Sequence, residues 1–287
     1  MGLDLYNHSP AAKAVFDAAA AVWPDVTRLC FEGPAEDLNI TINTQPCLLV
    51  VDLACAAAAQ EAGITPDGTA GFSLGEIAAV SLAGLMDFEQ AFSFVRVRAS
   101  AMHECGQTRP GTMLAVMGLE PGQVEAVAAG LGGVYPVNYN CPGQIVVACA
   151  PDRAPAVREA VVAAGGKALP LAVSGAFHSP LMDPAAAQLT TYLASQTLGE
   201  MNLPVYANAT GNVYDDPRSL LSRQVNHPVL WQRTIERMIA DGFDTFVELG
   251  PGKTLAGFIT RTDSSVTVAN LRDTESLAKT RKLFHDD

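Results

Sequence analysis

The most reactive pattern in the sequence is Gly-Phe-Ser-Leu-Gly at residues 71–75, a G-x-S-x-G motif around Ser73. In this pattern a sharp strand-to-helix turn exposes the serine hydroxyl, and the glycines avoid collisions with neighbouring backbone. The N–H of Leu74 would then lie at a helix N-terminus, where it can stabilise an oxyanion. A serine between glycines is also common in ordinary turns, so a structural turn remains the alternative.

A nucleophilic serine needs a base, and His178 is the candidate. It lies in the turn-rich segment 174–182, where a small domain would return to a larger one, a place where binding sites form. A lone surface histidine is the alternative. The α/β-hydrolase order places an acid between the serine and a histidine near the chain end, and this chain does not follow it. We therefore expect the imidazole to be oriented by a backbone carbonyl.

Arg98 lies in an otherwise apolar helical stretch. A guanidinium on an apolar face needs a partner, and its planar fork matches a carboxylate. Arg96, two residues away on another face, is expected to extend its charge into solvent. The alternative for Arg98 is that it too is a surface arginine of this kind. The sequence makes Arg98 a candidate carboxylate-binding residue.

The composition excludes several classes of function. Eighteen Lys and Arg face 30 Asp and Glu, a net charge of −12, and no basic segment offers affinity for nucleic acid. Hydrophobic residues make up 49% and charged ones 17%, which predicts a well-buried globular chain. The longest apolar stretch, Cys47 to Ala59, is interrupted by Asp52 and is expected to be too short for a bilayer. No cluster of metal ligands and no nucleotide motif appears, so no cofactor is expected.

The six cysteines are scattered without a C-x-x-C pair, as reduced core thiols are. The N-terminus lacks the basic and apolar regions of a secretory signal. Both observations predict a cytoplasmic protein.

The elements that would position these residues form an α/β pattern. Residues 110–172 predict βαββαβ, the ferredoxin-like order. This segment would be a small subdomain inserted into a large α/β-hydrolase-like domain with a parallel sheet, residues 1–109 and 173–287. Strands are predicted at 69–72, 112–117, 134–139, 144–148, 167–171, 204–207 and 245–249, and helices at 11–22, 45–62, 87–103, 121–130, 152–164 and 229–240.

Taken together, these motifs resemble the malonyl-CoA:acyl-carrier-protein transacylase family, also seen as acyltransferase domains of polyketide synthases. The stretches that carry the resemblance are Gln45-Pro46 opening a helix, 71–76, Arg98, 137–144 (VNYNCPGQ), 175–182, 208–211, Gln224, 226–231 (NHPVLW) and 248–252 (ELGPG). They run in order over nearly the whole chain, which makes chance similarity improbable.

The resemblance implies a ping-pong acyl transfer. Ser73 would attack the thioester of malonyl-CoA, His178 would act as general base, and the backbone carbonyl of Gln224 would orient the imidazole. Arg98 would bind the malonyl carboxylate with both arms of its fork, and Leu74 would supply one oxyanion donor. The thiol of the phosphopantetheine on an acyl carrier protein would then take the malonyl group.

The same resemblance places two further residues at the substrate. Gln45 would belong to the substrate-binding set, and Phe177, next to His178, matches the form that is associated with malonyl over methylmalonyl units. The substrates would be malonyl-CoA and an acidic acyl carrier protein, with no resident cofactor, no nucleic acid and no membrane, and we expect a monomer. Docking of the carrier would need a local basic patch.

The sequence departs from the family pattern at two points. Phe72 stands where the family usually has histidine. The apolar strand and Gly-Gln-Gly loop that normally precede the region of Met1 to Tyr6 are also absent, and the loop supplies the second oxyanion donor, worth about 100- to 1000-fold in rate. Two expectations follow: the native protein is longer than this sequence, or it is a degenerate homologue that binds carrier protein without turnover. A serine hydrolase is a third hypothesis, although such an enzyme has no use for Arg98.

Overall fold

The computed structural model describes residues 1–173 and 175–284. The chain forms two compact units: unit one comprises Met1–Arg96, Leu198–Val205 and Ile239–Asp287, and unit two comprises Val97–Thr197 and Tyr206–Met238. The helices are α1 Leu3–His8, α2 Pro10–Val22, α3 Asp25–Glu32, α4 Ala35–Leu38, α5 Thr41–Glu61, α6 Gly75–Leu82, α7 Phe88–Thr108, α8 Pro121–Leu131, α9 Ala154–Ala163, α10 Asp183–Ala194, α11 Pro217–Arg223, α12 Trp231–Ala240, α13 Thr254–Thr262 and α14 Thr274–Arg281. The strands are β1 Thr69–Ala70, β2 Thr112–Met117, β3 Val134–Cys141, β4 Gln144–Cys149, β5 Lys167–Pro170, β6 Val205–Tyr206, β7 Thr245–Leu249 and β8 Thr267–Leu271.

The first long helices of unit one follow local signals in the sequence. Helix α2 begins at Pro10, and the hydroxyl of Ser9 accepts a hydrogen bond from the N–H of Ala12, a side-chain cap. Helix α7 has the expected Asp cap, since Oδ1 of Asp87 accepts from the N–H of Gln90 at 2.8 Å. These ends were predictable because the capping residues stand next to the apolar stretches they cap.

Helix α5 departs from the prediction at its start. It begins at Thr41, four residues before Gln45, and Pro46 lies inside its second turn. The expectation that Gln45-Pro46 opens this helix is therefore wrong. A proline this near a helix N-terminus removes only one intrahelical hydrogen bond, so the chain tolerates it.

The expectation that this apolar stretch is too short to cross a bilayer also needs correction. With its polar first turn α5 has 21 residues, and by length and composition it could span a membrane. Most of its apolar window is buried inside the protein, as in the core helix of a globular chain. The length of α5 is thus weak evidence for a membrane span.

Unit one contains a parallel strand pair near the C-terminus. Strand β7 lies where it was predicted, and β8, which the sequence analysis did not assign, pairs with it in parallel from Thr245 beside Thr267 to Leu249 beside Leu271. A parallel pair requires a crossover, and α13 supplies it.

Unit two is built around a four-stranded antiparallel sheet in the order β3-β4-β2-β5. With α8 and α9 this gives the βαββαβ order of the predicted ferredoxin-like subdomain within the α/β fold. Alternate residues of β2 enter two apolar clusters, since Leu114 packs with α8 and α9, whereas Met113 packs with Ala176. Unit two also contains α10 and α11, which lie outside the expected subdomain of residues 110–172. The expected domain limits therefore stay a prediction.

Candidate active site

Ser73 lies in a tight turn of unit one between β1 and α6. Its φ angle is +52°, in the left-handed region that side chains rarely adopt. A Cβ on Gly71 would lie 2.0 Å from the carbonyl carbon and oxygen of Gly75, so this position has room only for glycine. The turn is therefore a strained elbow that brings the chain directly from strand to helix, as the G-x-S-x-G pattern predicts.

The second glycine of the motif has a different explanation from the one expected. A Cβ on Gly75 would meet nothing within 4 Å. The interpretation that both glycines avoid backbone collisions is correct for Gly71 and wrong for Gly75.

Two more of the candidate residues lie in unit one. Leu74 directly precedes α6 and is 6% exposed, and the N–H groups of Gly75 and Glu76 donate to the carbonyls of Phe72 and Ser73. The main chain of Leu74 therefore stands at the positive end of a helix. Gln45 is buried in the second turn of α5.

His178 lies in unit two and is 3% exposed. Its Nδ1 lies 3.0 Å from the carbonyl oxygen of Gln224, and its main-chain N–H donates to the carbonyl of Val225 at 2.9 Å. A carbonyl can only accept, so Nδ1 carries the proton and the neutral ring presents Nε2 as its basic nitrogen. This is the carbonyl-oriented imidazole that the sequence analysis expected at these two positions.

The electrostatic surroundings keep this imidazole neutral. Burial, and then the positive charge of Arg98, lower the pKa of His178 to about 4, against the opposing effect of hydrogen bonds with the main chain of Gln224 and His227. At neutral pH the ring is therefore a proton acceptor.

His178, like Ser73, has a left-handed backbone conformation. Its φ angle is +62°, and among the described residues these two are the only ones other than glycine with a positive φ. Strain of this kind costs about 1–3 kcal/mol per residue and concentrates at functional sites. The backbone thus marks the same two residues that the sequence motifs selected.

Arg98, on the unit-two part of α7, is 1% exposed, whereas Arg96 on the same helix is exposed, as expected. Its Nε and Nη2 donate to Oε1 of Gln224 at 3.2 and 2.7 Å. The side-chain oxygen of Gln224 thus accepts hydrogen bonds from two nitrogens of the buried guanidinium. This contact could not be predicted from the sequence, because no local signal links two positions 126 residues apart.

Two further features of unit two belong to stretches that carry the family resemblance. Phe177 is half-buried and packs against the cluster of Met113 and Ala176. The side-chain oxygens of Asn138 and Asn140, in the motif 137–144, are buried without a hydrogen-bond partner. No role for these asparagines follows from the sequence pattern.

The other histidines differ from His178 in their surroundings. His8 is exposed, and its Nδ1 lies 2.8 Å from the carbonyl oxygen of Asp4, while His103 and His227 are half-buried. His285 lies outside the described residues. Within the described part of the chain, no group of three or more His, Cys, Asp and Glu side chains could hold a metal ion.

The candidate residues divide between the two units. Gln45, Ser73 and Leu74 belong to unit one, and Arg98, Phe177, His178 and Gln224 belong to unit two. Within unit two, Gln224 brings the base and the cation together.

Known proteins of similar sequence match nearly the whole chain. A family profile described as "Acyl transferase domain" matches residues 1–284. The malonyl CoA-acyl carrier protein transacylase of Bacillus subtilis strain 168 is 37% identical over 286 residues, which cover 96% of this chain and 90% of that protein.

Solved structures give the same result for the fold. The malonyl CoA-acyl carrier protein transacylase of Clostridium perfringens superposes with a TM-score of 0.95 at 35% identity and covers 99% of this chain and 92% of that one. A malonyl-transacylase in complex with its type II polyketide synthase acyl carrier protein also gives a TM-score of 0.95, at 34% identity, covering 99% and 94% of the two chains.

Proposed function

The chain belongs to the acyl transferase domain family, and from this premise we propose that it transfers a malonyl group from malonyl-CoA to the phosphopantetheine thiol of an acyl carrier protein. The product would serve fatty-acid or polyketide synthesis. The observation that carries the proposal is the buried guanidinium of Arg98, which shares one residue, Gln224, with the imidazole of His178.

In the first half-reaction the Ser73 hydroxyl gives its proton to Nε2 of His178 while its oxygen attacks the thioester carbonyl. The carbon–sulfur bond then breaks, and the leaving CoA thiolate takes the proton from the imidazolium. A malonyl ester on Ser73 remains. Throughout this step Arg98 binds the free carboxylate of the malonyl group.

In the second half-reaction the carrier thiol gives its proton to His178, and its sulfur attacks the ester. The carbon–oxygen bond breaks, and Ser73 recovers the proton. The N–H of Leu74 would stabilise the oxyanion in both steps. Gln45 would contact the substrate, and Phe177 would leave less room for a branched acyl group.

The charge distribution indicates which unit would repel an acidic protein partner least. Unit two contains equal numbers of cationic and anionic residues, and unit one carries the whole net charge of −12. An acidic carrier would be repelled least by unit two. We further propose a cytoplasmic monomer that uses no resident cofactor and binds neither nucleic acid nor membranes.

The test is intact-protein mass spectrometry after brief incubation with malonyl-CoA, followed by addition of a phosphopantetheinylated carrier protein. We expect a malonyl adduct that is absent from Ser73→Ala and is lost to the carrier. Acetyl-CoA serves as the control for acyl selectivity.

Other outcomes would contradict the proposal in identifiable ways. Loss of the adduct to water, with no malonyl carrier formed, would favour a serine hydrolase. A folded chain that forms no adduct would favour a binding protein without turnover.

A further inference from the structure

Strand β3 carries two buried side-chain amides, those of Asn138 and Asn140. The two residues are 8% and 3% exposed, and within the described part of the chain neither amide oxygen has a hydrogen-bond partner. Folded proteins pair almost all of their buried polar atoms, because an unpaired one lowers stability. Two unpaired oxygens on one short segment therefore point to a ligand that supplies the donors.

The main chain beside these asparagines is already paired at both edges of the strand. Strand β4 lies along one edge, with Asn138 opposite Val146. Along the other edge, the N–H of Tyr139 donates to the carbonyl of Val229 at 2.9 Å, and the N–H of Val229 donates to the carbonyl of Val137 at 2.8 Å. A donor for the side-chain oxygens must therefore come from a face of the sheet.

The register of the sheet shows which face carries Asn138. Residues opposite each other in an antiparallel pair share a face, and Asn138 lies opposite Val146. Val146 belongs to the apolar cluster that contains Ala176 and packs against Phe177. The amide of Asn138 therefore lies on the face that carries the two residues directly before His178.

Asn140 lies on the same face. Tyr139, between the two asparagines, points to the other face, where it packs with α8 and donates to Oε1 of Glu125 at 2.8 Å. Side chains alternate along a strand, so both neighbours of Tyr139 point away from that helix. A shift of register between Tyr139 and Cys141 makes Asn140 the extra residue of a bulge, a feature that re-aims side chains beside functional sites.

The chemistry of the two oxygens indicates the class of ligand. A carboxamide oxygen is a neutral acceptor, and a neutral N–H is its usual partner. A pantetheine arm contains two secondary amides joined by two methylenes, so its amide nitrogens lie about 5 Å apart when the arm is extended. Residues two apart on a strand are separated by about 6.5 Å, a spacing that flexible side chains and a flexible arm can match.

We propose that Asn138 and Asn140 accept hydrogen bonds from the two amide N–H groups of the pantetheine arm that CoA and the carrier protein share. This inference rests on the proposed function, in which the thiol at the end of that arm is the reacting group. The thiol lies two methylenes beyond the nearer amide, so two anchored amides restrict the position of the sulfur. The arm would lie on the face of Ala176 and Phe177, next to the loop of His178.

The proposed site would serve both half-reactions. CoA and the carrier protein present the same arm, so one must leave before the other binds, as a ping-pong reaction requires. Binding would also pair the oxygens that the fold leaves unpaired, so a cost to the free protein becomes a gain on binding. A thioester without amides would leave both oxygens buried and unpaired, and the site should discriminate against it.

The test compares three malonyl thioesters that differ in the number of amides. They are malonyl-CoA with two, malonyl-N-acetylcysteamine with one and the malonyl thioester of ethanethiol with none. The variants are Asn138→Leu and Asn140→Leu, which keep the approximate size of the side chain and remove its polar atoms. Loading is followed by mass spectrometry, with kcat and KM measured separately.

We expect each leucine variant to raise the KM for malonyl-CoA about tenfold with little change in kcat, the loss that one hydrogen bond predicts. The ethanethiol thioester should load equally on both variants and the wild type. Malonyl-N-acetylcysteamine should respond to only one of the two substitutions, which identifies the asparagine nearer the thiol. A response to both would contradict the pairing of one amide with each asparagine.

Thermal unfolding separates ligand binding from a structural role. Replacement of an unpaired buried oxygen by an apolar group should leave the melting temperature level or raise it. The matched control is Asn270→Leu, because Nδ2 of the half-buried Asn270 donates to the main-chain oxygen of Glu248 at 3.2 Å. This variant should melt at a lower temperature and show the wild-type KM for all three thioesters.

An unchanged KM for malonyl-CoA in both leucine variants would overturn the inference, and so would an equal rise for the ethanethiol thioester. Failure of the wild-type chain to load malonyl from any of the three would instead defeat the proposed function. If a leucine variant does not fold, Asn138→Ala and Asn140→Ala fit the same space and give the same comparison.

Discussion

At the scale of single residues, the burial of Arg98 is the feature that separates a transferase of acidic acyl groups from a hydrolase of neutral esters. Truncation of this side chain removes a charge and the hydrogen bonds to Gln224 at a buried position. The effect should therefore depend on the acyl group.

We expect Arg98→Ala to lower malonyl loading by about 100-fold or more, since hydrogen bonds to a charged group are worth about 1.5–3 kcal/mol each. Loading from acetyl-CoA should change far less. Arg96→Ala, on the exposed side of the same helix, is the control and should load normally. An equal loss with both acyl groups would show that Arg98 only supports the structure.

The pKa of His178 predicts an unusual pH profile. A base must be unprotonated, and with its pKa lowered to about 4 the imidazole stays neutral through the whole physiological range. We expect kcat/KM for malonyl loading to be level at neutral pH and to fall only as the pH approaches about 4. Short exposures to each pH, with circular dichroism to confirm folding, make the measurement, and a midpoint near the usual 6.5 of histidine would contradict it.

Much of the site was predictable from the sequence, since Ser73, His178 and Arg98 stand out by type and local context. The contact between Arg98 and Gln224 was not, because it depends on how two distant segments fold together. A general rule was available all the same: a buried arginine must have an acceptor. That rule requires a partner without saying which residue it is.

At the scale of elements, the elbow between β1 and α6 depends on the two glycines in unequal ways. A side chain on Gly71 would collide with the main chain of Gly75, whereas Gly75 itself faces open space. Substitution of Gly71 should therefore affect folding, whereas substitution of Gly75 should affect only activity.

We expect Gly71→Ala to destabilise the chain by more than about 4 kcal/mol, the range of severe core defects, because main chain cannot move aside. Gly75→Ala should fold with a nearly unchanged melting temperature and show any effect in the loading rate. Thermal unfolding and adduct formation measured on both variants make the comparison. Equal stability of the two would show that the turn can relax.

The elements themselves were predicted best where the signal is local. Strand β2 alternates between two apolar clusters and was assigned with its observed bounds, and α2 has its cap next to it. Strand β8 was missed because its place is set by pairing with β7, not by burial of its own residues. Helix α3 was missed although Val26, Leu29 and Cys30 are buried at helical spacing, whereas α4 is a single turn without a buried residue.

At the scale of the whole molecule, the six cysteines are all free and buried. Burial raises the pKa of Cys55 to about 12, and it also raises the pKa values of Cys105 and Cys149. Thiols with a raised pKa react slowly, since the thiolate is the nucleophile, and Cys47, whose pKa is lowered by a hydrogen bond with Cys30, is shielded by burial.

Titration with a thiol reagent should therefore find little reaction in the native protein and six thiols after unfolding in denaturant. The unfolding step is its own control, because it exposes every thiol without reduction. A fast native reaction, or fewer than six thiols in the unfolded chain, would contradict this expectation.

The left-handed backbone of Ser73 and His178 has an evolutionary consequence. Glycine at either position would relieve strain, so mutation without selection for chemistry would favour its arrival. A lineage that kept only the binding of its partners could accept that gain in stability without loss. This chain carries serine and histidine at these two positions despite the unfavourable backbone, as continued selection on a reaction would leave them.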